Sequence, residues 1–396
     1  MEERVSAADD AAVLCETRAA GGGGRIGIAT LNAPRTLNGL SLEMARLLDA
    51  QLTQWAQDPT LALVVLQGAG EKAFCAGGDL HGLYRGMRAR AAHGAHGAAA
   101  QADPRGDAHA EAFFETEYRL DYRIHTFPKP VLCWGHGIVM GGGIGLMAGA
   151  SHRVVGERSR LAFPEISIGL FPDVGGSWLL SRVPAHAGLF LALTGAPLGA
   201  GDAIYAGLAD VHVPEAARAQ VLAALQATTW PTAAQDTARA LDALLARFAT
   251  PAPAGPLQRH AAAIADACVP PTLEAVAAAI AGLDAADPWI ATAQATLAAG
   301  APGSARLAFE LQQRAASLSL AEVFRLEYTA ALHCAAHGDF AEGIRALLID
   351  KDRAPRWQPA TLDAASAAWA RAFFHAPWPA QAHPLADLGR HTEISA

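Results

Sequence analysis

The stretch from Val131 to Ala150 (VLCWGHGIVMGGGIGLMAGA) constrains the fold more than any other part of the chain. Its 20 residues carry one ionisable side chain, His136, which matches a membrane span in length and character. Seven of the 20 are glycines, three of them consecutive, and glycine is costly in a helix interior. A strand, a tight turn and a short buried helix accommodate the same residues without that cost. The reading is therefore a soluble protein whose core must cover this segment on all sides. The 396 residues are 52% apolar and 17% charged, enough to build such a core and to exclude disorder as a global description.

Neighbouring segments extend this pattern. Arg25 to Leu31 alternates like a half-buried strand and follows the glycine run Gly21 to Gly24. Leu61 to Gln67 is a continuous apolar run of strand length, which suits a strand covered on both faces. Val131 to Trp134 and His152 to Val155 read as further strands. Between the first two lies a helix, with Ser41 as its cap and Leu42, Ala45, Leu48, Leu52 and Trp55 on one face through Gln57. Another helix runs from about Glu111 to His125 and stops before Pro128. Strands alternating with helices define an α/β core over residues 25–215. Residues 1–24 read as an N-terminal extension. Residues 216–396 read as an α-helical region, rich in Ala and broken by Pro at 231, 251, 253, 256, 270 and 271. Gly86 to Ala110 has no sustained period and reads as a mobile loop or irregular helix.

Charge and cysteine usage narrow the function. A net charge of −8 argues against a nucleic-acid-binding surface, though local cations and backbone amides suffice for one phosphate group. Five cysteines without a C-x-x-C pair fit neither a disulfide scaffold nor a zinc ribbon, and favour a reducing compartment. Met1 to Asp10 is acidic, with no apolar stretch and no visible secretory signal, so the expected location is cytoplasmic. His93, His96 and His109 fall in the irregular loop and read as solvated rather than metal-bound.

The familiar signatures H-E-x-x-H, G-x-x-x-x-G-K-[ST] and G-x-S-x-G are absent from the sequence. Two glycine clusters remain, Lys72 to Leu80 (KAFCAGGDL) and His136 to Gly145 (HGIVMGGGIG), each after a predicted strand. Glycine lets a ligand approach backbone amides closely, and two such turns at neighbouring strand ends can aim two N–H groups at one oxygen. Taken singly, each cluster is as well explained by a tight turn; the pairing favours a site. Phe163 to Gly176 then sets two carboxylates, Glu165 and Asp173, in an apolar stretch rich in Pro and Gly. Burial there raises a carboxyl pKa and suits it to proton transfer near neutral pH.

In this order, A-F-C-A-G-G-D-L, H-G-x-x-M-G-G-G-x-G and P-E-x-x-x-G-L-F-P-D-V-G-G resemble the enoyl-CoA hydratase/isomerase (crotonase) superfamily. Within it they are most similar to the branch that hydrolyses 3-hydroxyisobutyryl-CoA. Phe113 to Tyr118 (FFETEY), Leu191 to Gly195 (LALTG) and Glu342 to Asp352 (EGIRALLIDKD) extend the match. The resemblance implies repeated β-β-α turns with a helical C-terminal region. It implies that the amides of Gly78 and Gly142 polarise a thioester carbonyl. It also implies catalytic roles for Glu165 and Asp173, and substrate contacts from Glu117, Arg35, Leu37, Ala76 and Asp79. Hydratases of this superfamily carry a glutamate where this chain has Gly145, and usually a glycine where it has Asp173. Both differences point to hydrolysis of a short branched β-hydroxyacyl-CoA, an activity that belongs to valine breakdown. A single-glutamate hydratase or isomerase is the alternative. No metal or cofactor is implied, because CoA arrives with the acyl-CoA substrate. Relatives commonly form trimers, which leaves a homo-oligomer open.

Overall fold

The computed structural model describes residues 11–92 and 103–390. One six-stranded sheet contains β1 (Val13–Ala19), β2 (Arg25–Leu31), β3 (Leu61–Gly68), β5 (Val131–Gly135), β7 (His152–Val155) and β9 (Val211–His212), in the order β1-β2-β3-β5-β7-β9. β1 pairs with β2 antiparallel, and every other pairing is parallel. A smaller parallel sheet stacks β4 (Ala73–Cys75), β6 (Ile138–Met140) and β8 (Arg160–Ala162).

β3 shows why its sequence is apolar throughout. Leu63 and Val65 point to a layer closed by Val221, Leu225, Leu241 and Leu244, while Val64 and Leu66 point to the opposite, larger core. Both faces are covered, so no polar alternation survives. Helix α1 (Leu42–Gln57) begins where Ser41 Oγ accepts the Met44 amide at 3.1 Å, and it buries Met44, Ala45, Leu48, Leu52 and Trp55.

The strands are arranged as repeats. β3 and β4 lead into α2 (Leu80–Ala92), whereas α3 (Ala108–His125) crosses back to β5. β5 and β6 then lead into α4 (Gly142–Ala148), so the apolar stretch 131–150 resolves into strand, turn, strand and short buried helix. β7 and β8 lead into a 3-10 turn over Glu165–Ile168 and then α5 (Gly176–Leu180). These are the expected β-β-α units.

Three expectations need correction. Residues 13–19, read within the N-terminal extension, form edge strand β1, paired over Val13–Ala19. The segment from Gly86, read as a mobile loop or an irregular helix, is regular helix as far as Ala92. His109 lies in α3, which starts at Ala108, while His93 and His96 lie outside the described residues. Glycines 82 and 86 obscured α2 in the sequence. They are needed because a Cβ at Gly82 would stand 2.6 Å from Asp79 Oδ2, and one at Gly86 2.6 Å from Asp107 Oδ1.

Among the described residues beyond 215 there are helices and loops but no strand. α6 (Leu320–His337) opens with a capping box in which Ser319 and Glu322 satisfy each other's backbone N–H groups, and it packs on α3. α7 (Asp339–Ile344) lies against the 165–168 turn, where a Cβ at Gly169 would stand 2.3 Å from the Asp339 carbonyl oxygen. No helix of the described residues is long and apolar enough to cross a membrane.

Candidate active site

Parallel pairing of β4 with β6 brings the two glycine clusters side by side. The turn from Arg35 to Leu40 is laced to the first cluster. Leu37 carbonyl accepts the Ala76 amide at 3.1 Å, Gly77 carbonyl accepts the Leu40 amide at 2.8 Å, and Leu40 carbonyl accepts the Asp79 amide at 2.9 Å. Asn38, fully buried, donates from Nδ2 to the carbonyls of Ala69 and Ala73, which fixes this turn against β4. Gly77 has φ +111° and Gly141 φ +48°, backbone shapes that side chains rarely adopt, so both turns depend on glycine. A Cβ on Gly142 would lie 3.6 Å from the Gly78 nitrogen, so the two glycines predicted to polarise a carbonyl are neighbours.

They border a cavity. Glu117, Glu165 and Asp173 supply its acids, and Leu80, Phe113, Met140 and Phe340 are among its apolar walls. The cavity thus gathers Ala76, Gly78, Glu117, Gly142, Glu165 and Asp173 from the predicted set. Arg35, Leu37 and Asp79 do not line it. Arg35 is exposed on the 34–36 turn, and Asp79 Oδ1 accepts the Gly82 amide at 2.9 Å at the start of α2.

Each acid arrives from a different element. Glu117 is on the buried face of α3, and a Cβ on Gly142 would stand 2.3 Å from its Oε1, so the carboxyl fills the notch the glycine leaves. Glu165 opens the 3-10 turn after β8, and its Oε1 lies 3.0 Å from where a Gly141 Cβ would be. Asp173 follows Pro172, with Oδ2 accepting the Tyr118 hydroxyl at 2.7 Å. Glu117 Oε1 and Glu165 Oε2 are buried without a hydrogen-bond partner.

Burial is the main influence on all three. It pushes Glu165 well above the usual carboxylate range, helped by the charges of Asp173 and Glu117. It pushes Glu117 up likewise, with Asp173 adding to the effect. Asp173 is pushed up to about 6, burial outweighing the opposing hydrogen bonds from Tyr118 and the backbone. Three carboxyls gathered in one apolar cavity each hold a proton more tightly than a solvated carboxylate does.

Three buried polar residues behind the cavity were not singled out from sequence. Tyr118 fell within the FFETEY match without a role. Asp121 lies on the same apolar stripe of α3 one turn beyond Glu117, a spacing that could have revealed it, and both its oxygens are buried without partners. A Cβ on Gly145 would stand 2.7 Å from Asp121 Oδ2. Glu327, on α6, is fully buried and accepts the Gly175 amide at 2.7 Å and the Ser177 amide at 2.9 Å. Nothing local in its sequence marks it.

Residues 26–374 match the family model of enoyl-CoA hydratase/isomerase, and the chain belongs to that family. It is 37% identical over 341 residues to the mitochondrial 3-hydroxyisobutyryl-CoA hydrolase of Danio rerio, covering 86% of this chain and 84% of that protein. The Homo sapiens protein of the same name is 34% identical over 368 residues, covering 91% and 87%. A crystal structure titled carnitinyl-CoA dehydratase from Mycobacterium thermoresistibile superposes with a TM-score of 0.78 at 34% identity, covering 92% of this chain and 97% of that one. The expected α/β architecture with a helical C-terminal region is the family's. The cytoplasmic location expected from sequence is corrected here, since the hydrolase relatives are mitochondrial by name.

Proposed function

We propose that the chain hydrolyses a short branched β-hydroxyacyl-CoA thioester, converting 3-hydroxyisobutyryl-CoA to 3-hydroxyisobutyrate and CoA. The observation that carries this reading is the placement of Glu165 beside Gly141, on a cavity that also holds Gly78, Gly142, Glu117 and Asp173. The relatives named as hydrolases of this thioester support the choice of substrate.

In the reaction, the thioester oxygen accepts hydrogen bonds from the amides of Gly78 and Gly142, which meet the negative charge that develops there. Glu165 supplies the nucleophile. It either takes a proton from a water that attacks the carbonyl carbon, or attacks that carbon itself to form an anhydride that water then opens. In both courses the C–S bond breaks and the thiolate leaves with a proton. Asp173, titrating near 6, delivers that proton or holds the β-hydroxyl. Glu117 closes the polar end of the cavity from α3. Arg35 meets the CoA phosphates from the exposed turn, while Leu37, Ala76 and Asp79 shape the entrance through their backbone lacing. CoA enters and leaves as part of the substrate, and the steps require neither a metal nor a further cofactor.

The solved relative titled a dehydratase keeps a lyase or isomerase reading in view for a site with one such glutamate. The test runs both reactions. Thiol release from (S)-3-hydroxyisobutyryl-CoA with no loss of conjugated absorbance from crotonyl-CoA supports the hydrolase. Hydration of crotonyl-CoA without thiol release overturns it. In a single turnover in ¹⁸O-water, label in Glu165 identifies the anhydride course, in which water opens the anhydride at the Glu165 carbonyl; the general-base course leaves Glu165 unlabelled.

A further inference from the structure

Asp173 stands on an improbable piece of backbone. Val174 follows it at φ +54° and Gly175 at φ +78°, two successive left-handed residues of which one is β-branched. A β-branched residue in that region is strained and persists only where its surroundings over-determine it. The turn's own closure is a single bond, from the Gly176 amide to the Asp173 carbonyl at 2.6 Å. A second constraint comes from a residue 150 or more positions away. Glu327 Oε2 accepts the Gly175 amide and Oε1 the Ser177 amide, so one carboxyl gathers two of the four N–H groups that follow Asp173.

The same helix also fixes the other side of Asp173. Phe324 and Tyr328, on α6 beside Glu327, pack their rings against Tyr118 with centroids 5.6 Å and 6.4 Å apart. Tyr118 is the residue whose hydroxyl holds the Asp173 carboxyl. A Cβ on Gly175 would stand 3.3 Å from the Phe324 ring, so α6 also limits the space open to the turn. Thus one helix of the C-terminal region grips Asp173 by its backbone through Glu327 and by its side chain through Tyr118.

We infer that Glu327 is a positioning residue for the hydrolase reaction, acting through the 173–177 turn to aim the Asp173 carboxyl into the cavity. The inference rests on the hydrolase reading for its kinetic consequence, but its structural content is independent of the substrate. It also assigns work to the helical C-terminal region: the acid of the α/β core is aimed by a side chain from outside that core.

Glu327→Gln tests this with no change in size. The amide keeps one acceptor and turns an NH₂ toward the second backbone N–H. Its crystal structure is expected to show the 174–176 turn displaced and the Tyr118–Asp173 hydrogen bond broken, with α6 in place; an unchanged turn and bond would overturn the inference. In thiol release from 3-hydroxyisobutyryl-CoA, kcat is expected to fall about 10–100-fold with KM within about twofold, the scale of a misplaced catalytic group. In an Asp173→Asn background Glu327→Gln should add almost nothing; an equal further loss there would show that Glu327 does not act through Asp173. Glu327→Asp keeps a carboxyl but cannot reach both amides, and it is read in the same way if the first variant folds poorly. A wild-type chain that releases no thiol refutes the hydrolase reading, while the crystal structures still decide the positioning.

Discussion

The Tyr118 hydroxyl donates to Asp173 Oδ2 at 2.7 Å, and both residues are buried. That bond pulls the Asp173 carboxyl down against the larger upward push of burial, leaving it at about 6. In Tyr118→Phe the downward pull is lost and the proton is held more tightly. The limb of the pH–kcat profile that reports Asp173 should therefore move up by roughly one unit. A profile unchanged in midpoint would separate Asp173 from the rate-limiting chemistry.

Gly142→Ala places a methyl carbon 2.3 Å from Glu117 Oε1, whereas Gly78→Ala meets the rim of the Phe113 ring at 2.9 Å. The first variant must displace a carboxyl or the amide itself. Loss of one such donor costs about 10²–10³ in kcat. Gly142→Ala should show that loss together with a lower Tm. Adding Glu117→Ala should restore the Tm without restoring turnover. Recovery of both together would mean that Gly142→Ala acts only through its clash with the Glu117 carboxyl.

Asp121 predicts a stability effect of definite sign. Burial first, then the charges of Glu117, Asp173 and Glu327, push its carboxyl well above the usual range. In the unfolded chain it titrates near 4, so the folded protein holds the proton more tightly. Folding stability from this group is therefore complete at low pH and declines as pH rises from about 4 through the folded-state value. Asp121→Asn removes the charge with little change in shape. It should raise stability more at pH 8 than at pH 5, because the group it replaces is penalised only where its proton is lost. Melting curves at the two pH values check this, and an equal gain at both would contradict it.

The parts legible in the sequence were those with a local signature. Ser41 with its helical stripe gave α1, the unbroken apolar run gave β3, and the glycine clusters marked the cavity. β4, β6 and β8 were hidden because each is three residues long, and β4 and β6 lie inside those glycine clusters. β1 was missed because its centre, Glu16 to Arg18, is polar and partly exposed at the sheet edge. Glu165 and Asp173 were read from an apolar context that survived folding, whereas Glu117 came from the resemblance. Glu327 was not legible, since its partners are the backbone amides of Gly175 and Ser177 and the contact exists only once α6 has packed. Arg35, Leu37 and Asp79 came from the resemblance. None of the three lines the cavity.

The measurement that bears most directly on the proposed chemistry compares wild type with Glu165→Gln. Initial rates of CoA thiol release from (S)-3-hydroxyisobutyryl-CoA would be followed with a thiol reagent at saturating substrate. Rapid release by wild type, reduced at least about 10²–10⁴-fold in the variant with its fold intact by circular dichroism, is the expected result for a group that supplies the nucleophile. Near-normal release by Glu165→Gln would contradict it.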